Sequence, residues 1–192
     1  MSSQIENRLT LTQKISILLY GAKDCEPIKG KLWFQKELFL ISQAIPELQE
    51  EAEFESDLMG PYSEIADEQV DRLRIEKVLD PEAKELTRYG DKLKRKVKDE
   101  FSDDINRFIG EMKGFLNDLS KDELLGFIYY NYPDMKVDSL EFKRIDSKRQ
   151  DIAASLFRKK KISLGKAALI SGLTQEEIIE LLQSKGVSVF AK

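Results

Sequence analysis

Between Ser163 and Gly186 the sequence reads SLGKAALISGLTQEEIIELLQSKG. Ser163 and Thr174 each stand where a helix needs an N-terminal cap, and each opens a run of apolar residues at helical spacing. Gly172 lies between the two runs, where the chain has to turn. Ala168, four residues before that glycine, is small enough for two helices to cross closely, and Ile178 and Leu181, six and nine residues after it, are expected to lock the second helix onto the first. This set of positions specifies a helix-turn-helix and restricts the fold more than any other segment does.

Charge is unevenly placed around that motif. From Met1 to Gly90 the net charge is −7, from Asp91 to Met135 it is −2, and from Lys136 to Lys192 it is +5, for a total of −4. A polyanion would therefore be met by the C-terminal third. Arg158, Lys159, Lys160, Lys161 and Lys166 stand before and within the first helix of the motif as candidate phosphate contacts, and Thr174 and Gln175 at the start of the second are candidate base readers. The exposed side of that second helix nevertheless holds Glu176, Glu177 and Glu180, which phosphates would repel. Two readings stay open: a DNA-binding helix-turn-helix, or a helical hairpin that contacts protein only.

The remaining chain is read as mainly α. Helices are expected from Thr10 or Thr12 to Lys23, over KGKLWFQKELFLISQAIP, and from a Ser63 cap through EIADEQVDRL. Alternation around Phe54 reads as a strand, and IEKVLDPEAKELTRYG as two short strands about an Asp80-Pro81 turn ending at Gly90. Three helices and a β-hairpin make a winged helix over residues 1–90. From Leu93 to Leu119 the apolar residues recur by threes and fours, with a restart at Ser102, and a further helix runs from Ser120 to Pro133. This gives a helical extension over 91–135, then a linker at Lys136–Phe142 and the helix-turn-helix tail over 136–192. The apolar stripe is long enough to form a two-helix seam, so a homodimer is expected; the competing reading packs the stripe within the chain, against Leu124, Phe127 and Ile128.

Two resemblances bear on function. KKKISLGKAALISGLTQEEIIELLQSKGVSV resembles a family of short, mostly uncharacterised prokaryotic helix-turn-helix proteins regarded as candidate antitoxins. KGKLWFQKELFLIS, EFESDLMGPYSEIADE, ELTRYG and ELLGFIYYNYP are similar to the winged-helix group around the Panacea, or SocA-like antitoxin, domain. The resemblances imply regulation, either by repression of an operon on duplex DNA or by neutralisation of a partner protein such as a toxin. The third helix departs from a groove reader, since Glu64, Asp67, Glu68 and Asp71 oppose phosphate approach, so the first domain is expected to contact protein.

Catalysis is not expected. The chain has no histidine and one cysteine, Cys25, which removes the usual general base, serine or cysteine triads of the usual type, thiolate metal cages and internal disulfides. Glu53, Glu55 and Asp57 read as an exposed strand face, and Asp80 to Lys84 as a turn rather than a nuclease site. Trp33 and the tyrosines Tyr129, Tyr130 and Tyr132 read as packing residues. No cofactor or metal is expected. The start, MSSQIENRLTLTQK, lacks a leader pattern and no apolar run reaches a membrane span, so the expected location is the cytoplasm, with no membrane partner.

Overall fold

A computed structural model describes residues 8–189, so Phe190 and most of the start read for a leader lie outside the described residues. Those described fold into eleven α-helices and a short 3-10 turn, arranged as two units: residues up to 55 with 61–118, and residues 56–60 with those from 119 onward.

In the first unit, α1 (Leu11–Cys25) is the hub that α2 (Lys31–Ser42), α3 (Pro46–Ala52), α4 (Glu64–Ile75), α5 (Arg88–Lys98) and α6 (Asp103–Asn117) all contact. Thr10 caps it in a reciprocal box with Gln13, and Ile15, Ile17, Leu18, Leu19 and Tyr20 are buried. Such near-continuous burial suits a helix surrounded by others. Its end leaves helical geometry at Ala22, and Lys23, Asp24 and Cys25 follow with φ of 51, 53 and 61°. Three successive left-handed residues are strained, and they need an anchor. Lys113 supplies it: its fully buried ammonium donates to the carbonyls of Tyr20 at 3.0 Å and Ala22 at 3.2 Å.

The stripe from Leu93 to Leu119 breaks as the sequence indicates, because α5 ends at Lys98 and Ser102 caps α6. Leu93, Val97 and Ile109 lie inside the core of this unit, with Phe101, Ile105, Phe108 and Met112 packed against it.

The winged helix is not supported. No strand forms among the described residues, only three isolated bridges: Glu55 with Tyr62, Leu58 with Gly60, and Leu79 with Leu86. Side chains take the backbone groups that a ladder would use. The Asp80 carboxylate accepts the N–H groups of Glu82, Lys84 and Glu85, so a turn replaces the hairpin, and Thr87 caps α5, which carries Gly90 inside a helix. Gln35 exchanges two hydrogen bonds with Ser63, and buried Lys36 donates to the Pro61 carbonyl, so α2 pins the chain leading into α4 together with the single Glu55–Tyr62 bridge.

The second unit is built from α7 (Lys121–Asn131), α8 (Phe142–Asp146), α9 (Arg149–Arg158), α10 (Leu164–Ser171) and α11 (Gln175–Ser184). Leu124, Leu125, Ile128, Ile145, Ile152, Leu156, Ile170, Ile178 and Leu182 form its interior. Gly126 lets α7 and α9 approach, since a Cβ there would come within 2.8 Å of the Ile152 side chain. Lys136–Phe142, read as a linker, holds a defined path: the Leu140 N–H donates to the Leu58 carbonyl at 3.0 Å and the Asp138 N–H to the Ser56 hydroxyl at 3.1 Å.

Candidate nucleic-acid interface

The three helices α9, α10 and α11 contact one another, and three residues, Gly172 to Thr174, join the last two. Ser163 accepts the Lys166 N–H and caps α10, while Thr174 and Glu177 form a reciprocal capping box on α11. At the turn Gly172 has φ of 73°, and its N–H returns to the Ala168 carbonyl at 2.9 Å. Ala167 and Ala168 are buried where the helices meet. Ile178 is fully buried as the spacing predicts, but its partner is Leu182, one turn further, and Leu181 is only partly covered. An i, i+4 pair points at one facing helix more directly than i, i+3 does when the helix is only ten residues long.

A residue that the motif gives no sign of completes the turn. Arg149, at the start of α9, donates from Nε to the Ile170 carbonyl at 2.7 Å and lies over the Tyr130 ring at 4.6 Å. Its guanidinium occupies the space beside Gly172, where a Cβ would meet it at 2.7 Å. The arginine thus satisfies the open carbonyl end of α10, and the glycine leaves room for it. No local pattern relates positions 149 and 172.

The candidate phosphate contacts separate into two groups. Lys159 is engaged internally: its ammonium donates to Glu123 at 2.7 Å. The Glu123 carboxylate, 5% exposed, also accepts the Ser120 N–H and the Ser155 hydroxyl. Burial pushes this carboxyl up, but Lys159, Ser120 and Ser155 together outweigh burial and hold it below the ordinary carboxylate range. Arg158 is exposed and reaches the Ser155 hydroxyl at 3.4 Å. Lys160, with φ of 58°, is exposed on the bend that leads through Lys161 to the Ser163 cap, and Lys166 is half-buried one turn into α10.

Thr174 and Gln175 are both exposed, and the Gln175 amide nitrogen lies 3.9 Å from the Cβ position of Gly165. The Gln175 side chain therefore brings the start of α11 against the first turn of α10, both caps, Ser163 and Thr174, are exposed, and the Lys160–Lys161 bend leads into α10. Glu177 is consumed by the capping box, whereas Glu176 and Glu180 are exposed, with no ion pair described for either.

Elsewhere, no group of three or more histidine, cysteine, aspartate or glutamate residues among those described is placed to hold a metal ion. No described helix is long and apolar enough to cross a membrane.

Residues 128–191, about a third of the chain, match the model of an uncharacterised protein family, UPF0175. The match begins within α7 and takes in α8 to α11, so it contains the segment that resembles the short antitoxin-like proteins and extends upstream of it. Nothing comparable supports the resemblance of the N-terminal part to the Panacea group. No curated protein and no solved structure matches the chain.

Proposed function

We propose that the chain is a DNA-binding regulator of the antitoxin kind, in which α10 and α11 act as a helix-turn-helix on duplex DNA. The observation that carries this reading is the pairing of two capped helix N-termini, Ser163 and Thr174, beside Lys160, Lys161 and Lys166. Phosphates favour such ends, and Thr174 and Gln175 would then face base edges. Lys159 contributes less than its neighbours because Glu123 already neutralises it. The exposed acidic side of α4, with Glu64, Glu68 and Asp71, is the surface proposed to contact a protein such as a toxin.

Fluorescence anisotropy of the full chain with duplex DNA from its own upstream region, across a salt series, tests this. Replacing Lys160, Lys161 and Lys166 by alanine should weaken binding and reduce the salt slope by up to about 3 phosphate contacts. Absence of binding at low salt, or a triple variant that binds like the parent, would remove the reading.

Exposed Glu176 and Glu180 favour a second reading, in which the same helices bind only protein. Glu180→Ala separates the two. It should raise affinity if DNA is the ligand and leave DNA binding absent if it is not.

A further inference from the structure

Five large apolar side chains are exposed among the described residues, and three of them, Leu58, Val137 and Leu140, belong to two neighbouring segments of the second unit. Their exposures are 53, 75 and 78%. They project from a braced platform: the Leu140 N–H and the Ser139 hydroxyl both reach the Leu58 carbonyl, the Asp138 N–H reaches Ser56, and Ser139 also bonds Tyr129. Holding three apolar groups in water on a fixed backbone gains nothing for the fold, but it lowers the ordering cost of an encounter.

In or beside these two segments lie Asp57, Asp134, Asp138 and Glu141, against Lys143, Arg144 and Lys136. Lys136 is drawn over the rings of Phe142 at 4.4 Å and Tyr130 at 5.5 Å, and Glu141 is matched by Arg144. No ion pair is described for Asp57, Asp134 or Asp138, so even with Lys143 the rim of the patch is net acidic. Two copies placed face to face would oppose acid with acid, and an anionic membrane would be repelled as well.

We infer that Leu58, Val137 and Leu140 form a docking surface for a partner protein that presents apolar side chains flanked by lysine or arginine. The surface is separate from α10 and α11 and does not depend on whether those helices bind DNA. The apolar anchors supply the affinity, and the aspartates select a basic partner and orient it.

The test uses the full chain and a fluorescent synthetic amphipathic peptide of leucine and lysine, compared with one in which glutamate replaces lysine. The lysine peptide should bind, and Val137→Ser with Leu140→Ser should weaken it by about tenfold or more, as when two anchors leave an interface. Leu58→Ser, on the other segment, should weaken it independently. Asp134→Asn with Asp138→Asn should weaken binding and flatten its salt dependence, while the charge-matched pair Glu47→Gln and Glu50→Gln on α3 should not. All these positions are exposed, so circular dichroism should be unchanged. Equal binding of the glutamate peptide, or serine variants that bind like the parent, would overturn the inference. So would self-association in sedimentation, or binding to phosphatidylcholine vesicles, that the Val137→Ser, Leu140→Ser variant abolishes, because the occupant would then be a second copy or a lipid surface.

Discussion

Gly172 is held by two constraints at once, a φ of 73° and a guanidinium 2.7 Å from any Cβ placed there. Gly172→Ala should cost about 1 kcal/mol for the backbone alone, and more because Arg149 must give up its bond to the Ile170 carbonyl. Gly172→Val should cost more still, whereas Glu180→Ala on the exposed side of α11 should stay within about 0.5 kcal/mol of the parent; denaturant melts of the full chain would measure all three. Glu123 makes stability depend on pH at the acid end. The folded-state value of Glu123 is depressed, so its contribution is present above the ordinary carboxylate pKa and is lost as pH falls through the folded value. Glu123→Gln should remove that acid limb, and Lys159→Ala should narrow it.

In the first unit, burial raises the Glu37 carboxyl to about 8, against the nearby Lys113 and Lys29 cations and with Glu26 adding to the rise. Neither carboxylate oxygen has a hydrogen-bond partner among the described residues. A raised folded value means that the contribution is full below the ordinary carboxylate pKa and lost as pH rises through about 8. Glu37→Gln should therefore flatten the decline in stability between mildly acidic and mildly alkaline pH. Urea melts at stepped pH would show an unchanged slope if this account is wrong.

At the scale of elements, six helix starts were legible because caps act over three residues, whereas the start of α5 at Thr87 lay in a segment read as strand. Thr10, Ser63, Ser102, Ser120, Ser163 and Thr174 all accept an N–H from their own first turn. Thr174→Ala should cost about 1 kcal/mol and fray the start of α11, read as lost amide protection at Glu177. The expected strands failed for an equally physical reason. Alternation around Phe54 and between Ile75 and Leu86 describes which side chains are covered, but pairing near Phe54 stops at the single Glu55–Tyr62 bridge, and beyond the Leu79–Leu86 bridge the Asp80 carboxylate takes the Glu85 N–H that the next rung would use. The contact of α7 with α9 depends on Gly126, and Gly126→Val should cost about 1–3 kcal/mol by forcing the Ile152 side chain away, as thermal unfolding would record.

For the molecule as a whole, the apolar stripe at Leu93, Val97 and Ile109 is spent inside the first unit. Ile109→Ala should therefore lower stability by about 2–5 kcal/mol and leave the sedimentation coefficient of the folded protein unchanged; dissociation of a dimer by this variant would show that the stripe also serves a seam. The sequence by itself determined the predominance of helix, the caps at Ser63, Ser102, Ser120, Ser163 and Thr174, and the turn at Gly172, because each depends on residues within a few positions of one another. Tertiary structure alone decided that Ser56–Gly60 joins the C-terminal unit, that Lys113 braces the left-handed end of α1, that Glu123 draws Lys159 away from the basic run, and that Arg149 sits against Gly172. Those pairings join residues tens of positions apart, and buried charged and polar groups choose partners by distance in the folded core, which composition and periodicity do not encode.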